Sequence, residues 1–257
     1  MSPRIHMAAA QATSIDLQYD AIPVRPDEVE QAISAMRREN IRGYSVTMPH
    51  KEAVIPFLDE LTPAAEALGA VNHITNTDGR LVGNNTDGDG FVLGLEHSTG
   101  ESVTDKTIGV IGSGGAARAI IDACARHGAR QVRVVARSQE RALKASTLAG
   151  DVGVVASQEQ LADCDIVVNA TPIGMAHTDG EGQLPCNVDD LSAEAIVVDI
   201  VYTPLETPLL AESRRRGLTT VNGLSMLVGQ AGEQFSTWTD VEAPLEAMFS
   251  AVRRFQQ

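Results

Sequence analysis

The chain has 257 residues, 43% of them hydrophobic and 21% charged, with a formal net charge of -14. That length suits one or two folded domains with a sizeable core, and so much negative charge argues against nucleic acid or an anionic membrane as a general partner. Three cysteines without metal or redox spacing, no apolar run of membrane length and no signal-peptide pattern predict a cytoplasmic protein with inert thiols and no metal.

In chain order, residues 16–22 ("DLQYDAI") read as a strand. Beyond Pro26, Val29, Ala32, Ile33 and Met36 repeat at helical spacing, and Gly43 follows the helix. Tyr44 to Thr47 is the next strand, and a helix is expected to open at Pro49. Residues 71–85 ("VNHITNTDGRLVGNN") read as two strands joined by Asp78-Gly79, a strong two-residue hairpin signal. A helix carrying Phe91, Val92 and Leu95 comes next. The polar stretch 96–106, rich in turn formers, is the expected domain boundary.

From Thr107 the runs "TIGVIG", "QVRVVAR", "VGVVAS", "DIVVNAT" and "AIVVDIV" are continuous and β-branched, as in strands covered on both faces. Helical segments separate most of them, so the fold class is α/β with largely parallel sheets. Residues 224–257 read as helical with no strand to pair with, and are expected to return to the first domain.

"TIGVIGSGGAARAII" is a strand, then Gly112-Ser113-Gly114-Gly115-Ala116-Ala117, then an apolar helix. This is G-x-G-x-x-A in the strand-to-helix context that a dinucleotide pyrophosphate requires. The glycines allow the turn and the close approach of phosphate, and the helix N-terminus offers unpaired N–H groups. The following strand ends at Ala136 without the acid that would hold NAD ribose hydroxyls. Arg137, Ser138 and Arg141 come instead, and guanidiniums suit a 2′-phosphate, so NADP(H) is the expected cofactor.

A nicotinamide enzyme that reduces a ketone must also protonate the forming alkoxide. Lys51, in "SVTMPHK", is a candidate donor, and Asp87, in "GNNTDGDG", a candidate carboxylate to orient it; Asp89 looks more like a solvated turn. On residue chemistry alone the pair stays open, because surface lysines and turn aspartates are common.

Eight segments together resemble the shikimate dehydrogenase family: "SVTMPHK", "GAVNHI", "GNNTDGDGF", "GSGGAARA", "VARSQERA", "NATPIGM", "DIVYTPLETPLL" and "NGLSMLVGQAGEQF". They occur in the family's order and span nearly the whole chain. The resemblance implies an N-terminal α/β substrate domain (1–86, completed by 223–257) and a Rossmann-type NADP-binding domain (87–222). It implies reversible reduction of 3-dehydroshikimate to shikimate in chorismate and aromatic amino acid biosynthesis, by a monomer or homodimer acting on a small molecule. Lys51 and Asp87 match the catalytic pair. Ser2, Thr47, Asn72, Tyr202 and Gln230 match substrate-binding positions, and Thr171 and Gly223 join the cofactor set. An NAD-dependent quinate/shikimate dehydrogenase is the alternative, which Ala136-Arg137 disfavours.

The family's usual opening is a strand ending in Gly-x-Pro, followed by H-S-x-S-P-x-x-H; this chain starts inside that motif, at Ser2-Pro3-Arg4-Ile5-His6. The expectation is therefore a truncated substrate domain, less stable for lacking a strand. One of two carboxylate-binding serines would be missing, and Ser2 would be disordered at a terminus. A weakly active or non-catalytic NADP-binding homologue is the second alternative.

Overall fold

Amphipathic segments and β-branched runs build two sheets in this chain. The computed structural model describes residues 1–253 and divides into two units: Met1–Asp87 with the chain from Gln230 onward, and Gly88–Gly229. The polar stretch 96–106 thus lies inside the second unit, where it ends one helix and leads into a strand.

In the first unit, Pro3 and an alanine run favour helix α1 (Ser2–Thr13), which buries Ile5, His6, Ala9 and Ala10. Ser2 is therefore the first residue of a helix rather than part of a disordered end. The strand expected over 16–22 does not form; the segment is irregular and pairs with no strand of either sheet. Alternation alone makes no strand where there is no ladder to join. Helix α2 (Val29–Arg38) buries Val29, Ile33 and Met36 along one face and ends on Arg37 and Arg38, the favourable charge for its C-terminus.

Strand β1 (Gly43–Ser45) follows, then β2 (Glu60–Leu61), helix α3 (Pro63–Leu68), β3 (His73–Thr77) and β4 (Arg80–Asn84). The four strands lie in the order β1-β3-β4-β2. The β3–β4 hairpin turns at Asp78 and Gly79, with φ of 51° and 88°, the pair of positive values that a type I′ turn needs. No helix opens at Pro49: residues 51–54 are turns and only Ile55–Phe57 makes a short 3₁₀ segment. The Lys51 carbonyl explains this, since it accepts the Val71 N–H at 2.8 Å instead of a helical partner.

In the second unit, helix α4 (Asp87–Thr99) leads to β5 (Thr107–Ile111), α5 (Gly115–Arg126), β6 (Gln131–Val135), α6 (Gln139–Ser146) and β7 (Gly153–Val155). Then come β8 (Ile166–Asn169), β9 (Ile196–Asp199), α7 (Pro208–Arg215) and β10 (Thr219–Val221). All six strands are parallel, in the order β7-β6-β5-β8-β9-β10. This is the doubly wound arrangement, whose order reverses between β5 and β8 and opens a ligand crevice at their C-terminal ends. β5, β8 and β9 are buried throughout, as the β-branched runs predict; β6 leaves Gln131 and Arg133 half-buried, and the edge position of β7 leaves Val154 and Val155 partly exposed. β2 and β10 are too short to carry a pattern and were not expected.

Helix α8 (Leu224–Thr239) begins in the second unit and ends in the first, and α9 (Leu245–Arg253) packs on α1. The helical C-terminal stretch thus returns to the first unit as expected; its residues 254–257 lie outside the described residues. Gly43 marks the docking of α8: a Cβ there would stand 1.9 Å from Trp238 Nε1, which donates to the Ile74 carbonyl at 3.2 Å. Among the described residues no helix is long and apolar enough to cross a membrane.

Candidate active site

Main-chain bonds from three directions converge on Val71 and Asn72. Val71 N–H reaches the Lys51 carbonyl at 2.8 Å, Val46 N–H the Asn72 carbonyl at 2.7 Å, and Asn72 N–H the Asn84 carbonyl at 3.0 Å. The turn holding Lys51, the end of β1 and the end of β4 are thereby fixed around these two residues. Asp87 sits where α4 begins, its N–H bonded to Asn85 Oδ1 at 3.1 Å. A carboxylate is favoured at a helix N-terminus.

Their side chains meet. Lys51 Nζ donates to Asp87 Oδ2 at 2.5 Å, and Asn72 Nδ2 to Asp87 Oδ1 at 2.8 Å. Asn72 Nδ2 also donates to Gln230 Oε1 at 3.1 Å. The Asp87 carboxylate is nearly buried while the Lys51 side chain is 28% exposed. A buried carboxylate is tolerable only when paired and hydrogen-bonded, and here each oxygen has a donor. Lys51 keeps two further N–H groups for another acceptor.

Four sequence-predicted residues, Lys51, Asn72, Asp87 and Gln230, are thus in one network. Three are not: Ser2 is half-buried at the start of α1, Thr47 is exposed after β1, and Tyr202 is exposed in the β9–α7 loop of the second unit. None of these makes a side-chain hydrogen bond to a described residue. His50 turns away from Lys51, with Nε2 at 2.8 Å from the Val24 carbonyl. Asp89 is no solvated turn. It lies in α4, paired with Arg126 and His127 at 2.9 Å each. Burial raises its carboxyl's pKa, but the bonds donated by Arg126 and His127 outweigh this and hold it below the ordinary range.

Sequence reasoning missed three members of the network. Thr86 donates its N–H to Asn72 Oδ1 at 2.8 Å, Gln234 Nε2 donates to Thr86 Oγ1 at 3.2 Å, and Ser45 Oγ donates to Gln234 Oε1 at 2.5 Å. Gln234 stands four residues after Gln230, on the same helix face, a spacing that could have revealed it. His6 and His73 were missed as well. Burial lowers both to a pKa of about 4, their mutual repulsion lowers His6 further, and Gln234 is the polar neighbour opposing that shift. His6 stacks on Tyr19 at 4.3 Å, and both histidines lie against Trp238.

In the second unit the glycine turn has the shape a pyrophosphate needs. Gly112 has φ +129°, and a Cβ there would come 2.7 Å from the Ala170 carbonyl, so only glycine lets the turns after β5 and β8 meet. Cβ atoms on Gly114 and Gly115 would meet nothing within 4 Å, which leaves open space in front of α5. No side chain caps that helix, so its first N–H groups, at Gly115, Ala116 and Ala117, lack protein partners. Ser113 lies half-buried within the turn.

Past β6, Ala136 is half-buried and Arg137 exposed, while Ser138 Oγ caps α6 by accepting the Arg141 N–H at 3.3 Å. Neither guanidinium, Arg137 nor Arg141, has an ion-pair partner among the described residues. Thr171 shapes its own loop, donating to Asn169 Oδ1 at 2.6 Å and accepting the Ile173 N–H at 3.2 Å. A Cβ on Gly223 would stand 2.0 Å from the Ile200 carbonyl, which gives that glycine a packing reason of its own.

Comparison with known proteins agrees with both halves. Residues 1–74 match the family model described as the shikimate dehydrogenase substrate binding domain, and 223–253 that of the shikimate 5′-dehydrogenase C-terminal domain. Residues 107–202 match NADP oxidoreductase, coenzyme F420-dependent. The shikimate dehydrogenase (NADP(+)) of Salinibacter ruber is 42% identical, covering 98% of this chain and 92% of that protein. A shikimate dehydrogenase crystallised with NADP+ superposes with a TM-score of 0.90 at 34% identity, over 100% of this chain and 91% of the other. The shikimate 5-dehydrogenase of Thermus thermophilus, in complex with NADP(H) and shikimate, gives 0.87 at 32% identity, over 98% and 94%. With identity above two-fifths along nearly its full length, a substrate-domain match around Lys51 and Asn72 and the same architecture throughout, this chain belongs to the shikimate dehydrogenase family.

Proposed function

We propose that this chain catalyses the reversible, NADP-dependent reduction of 3-dehydroshikimate to shikimate, a step of aromatic biosynthesis. The observation that carries the reading is the Lys51–Asp87–Asn72 network: an ammonium held at 2.5 Å by a nearly buried carboxylate, with N–H groups to spare. NADPH, when bound, supplies the hydride.

The chain's own residues do the rest. Lys51 Nζ gives its proton to the oxygen of the carbonyl as that oxygen gains negative charge, and takes it back in the oxidative direction. Asp87 holds the Lys51 amino group in place in both directions of the reaction. Asn72, Gln230 and Thr47 bind ring hydroxyls of the substrate, and Ser2 and Tyr202 its carboxylate. For the cofactor, Gly112, Ser113, Gly114, Gly115 and Ala116 hold the pyrophosphate. Arg137, Ser138 and Arg141 hold the 2′-phosphate beside Ala136, and Thr171 and Gly223 line the remaining wall. The unpaired guanidiniums and the absence of an acid at the end of β6 support NADP over NAD.

We infer a cytoplasmic setting and a small-molecule role as monomer or homodimer, without nucleic acid or membrane partners. The net charge of -14 and three free, buried cysteines support that reading. Following nicotinamide absorbance with shikimate or quinate, and NADP+ or NAD+, tests the whole. Fastest turnover is expected with shikimate and NADP+; no turnover of shikimate with either cofactor overturns the proposal.

A further inference from the structure

A run of donors beyond the Lys51–Asp87 pair points one way. Tyr19 OH lies 2.7 Å from Ser45 Oγ, Ser45 Oγ 2.5 Å from Gln234 Oε1, Gln234 Nε2 3.2 Å from Thr86 Oγ1, and Thr86 Oγ1 3.2 Å from Asn72 Oδ1. Asn72 Nδ2 then donates to Asp87 Oδ1 at 2.8 Å. The sense is fixed at the carboxylate end. Asp87 only accepts there, so the Asn72 amide presents its NH₂ to it and its oxygen to Thr86, whose backbone N–H confirms that orientation at 2.8 Å. Thr86 Oγ1 then accepts from Gln234 and has one proton to give, to Asn72 Oδ1 at 3.2 Å in preference to the Gln230 carbonyl at 3.5 Å. Gln234 in turn presents its oxygen to Ser45, whose hydroxyl donates and so accepts from Tyr19.

Gln234, Thr86 and Asn72 are all buried. In such a setting each bond in a one-way chain polarises the next, strengthening the last. The last is the donation that holds Asp87 Oδ1, leaving Oδ2 turned to Lys51.

We propose that Gln234 is a positioning residue for the Lys51–Asp87 pair, acting through Thr86 and Asn72, with Tyr19 as the outer end of the chain. This rests on the reaction proposed above. The effect is partial, because the Thr86 N–H still holds Asn72 when Gln234 is lost.

Two variants test it. Gln234→Leu keeps the volume but neither bond, and Tyr19→Phe keeps the stack on His6 while losing only the hydroxyl. For Gln234→Leu, kcat for shikimate oxidation should fall about tenfold, the weight of one neutral hydrogen bond. The Michaelis constant for NADP+ should stay put, and the solvent deuterium isotope effect on kcat should rise as proton transfer slows. Tyr19→Phe should show the same changes at about twofold. A loss of folded protein would lower kcat without moving the isotope effect.

A second readout needs no turnover. Acylation of Lys51 by acetic anhydride, measured by mass spectrometry against Lys106 and Lys144, should speed up several-fold in Gln234→Leu as the hold of Asp87 loosens. If the wild-type protein fails to oxidise shikimate, the functional proposal falls while the labelling still decides this one. Wild-type labelling rates in both variants, or wild-type isotope effects in active variants, overturn the positioning role.

Discussion

The two units cover their sheets with different materials. The second fills both faces of six parallel strands with valine, isoleucine, leucine and alanine. It buries polar groups as well: Asn169 and Asp199, at the ends of β8 and β9, bond to each other and Asp199 to Thr207 at the start of α7, and burial raises the Asp199 pKa against the donors around it. The first unit has a smaller aliphatic core around Val29, Ile33, Met36 and Ile74. Beside that core it buries His6, Asn72, His73, Asn76, Asn85, Thr86, Asp87 and Gln234. Buried polar groups are costly unless bonded. Gln234, Thr86, Asn72 and Asp87 are bonded in a chain ending at Lys51, and Asn76 and Asn85 donate to backbone carbonyls, but both ring nitrogens of His6 and Nδ1 of His73 have no partner among the described residues. The second unit buries polar side chains too, with Ser213 Oγ unpaired, but its Asp122 and Asp199 carboxylates are bonded; among the described residues, buried imidazoles with unpaired nitrogens belong to the first unit.

The sharpest way to break this contrast is Lys51→Ala. Removing a general acid should lower turnover by about 10²- to 10⁴-fold, while NADPH titration by fluorescence should give an unchanged dissociation constant, because Lys51 belongs to the other unit. Surviving turnover would mean that the proton comes from elsewhere. Trp238, the single tryptophan, reports in the same samples that the first unit remains folded.

Acid should separate the units next. His6 and His73 have pKa values of about 4 in the fold against an ordinary 6.5, so the unfolded chain binds more protons between those limits. Stability is then full above pH 6.5 and is lost as pH falls toward about 4. Each histidine can cost on the order of 3 kcal/mol by linkage. Urea melts followed by Trp238 emission at pH 7, 5.5 and 4.5 should show this loss, and His6→Phe should flatten it. An unchanged slope in that variant would remove His6 from the account.

The smallest effect belongs to the second unit. Replacing Arg137 and Arg141 together with alanine should weaken NADP+ binding about 10- to 100-fold, the value of charge-assisted bonds to a phosphate. NAD+ binding, measured by calorimetry, should barely change. Equal losses for both cofactors would show that the guanidiniums do not read the 2′-phosphate.

The second unit was the more legible in the sequence. Its inner strands β5, β8 and β9 are buried on both faces and so appear as apolar, β-branched runs, and Gly112 stands where strand gives way to helix. The first unit depends on relations that periodicity does not carry. Residues 16–22 alternate like a strand but have no ladder to join, and the turn after Pro49 is set by a bond to Val71, a distant residue. Lys51, Asp87, Asn72 and Gln230 were identifiable from family motifs. Thr86 and Ser45 lie inside two of the family motifs, but only the fold shows that a hydroxyl there faces an amide. His6 and His73 gave no local sign of burial beside one tryptophan.

The bond between the Lys51 carbonyl and the Val71 amide has a practical meaning. The lysine is delivered to its place by main chain, while the side chains of its neighbours Glu52 and Ala53 face outward. Sequence drift at those two sites is therefore cheap. A designer looking for an attachment point, a solubilising charge or a reporter close to the Lys51–Asp87 pair has two adjacent positions whose chemistry can change while the placement of Lys51 is carried by the backbone.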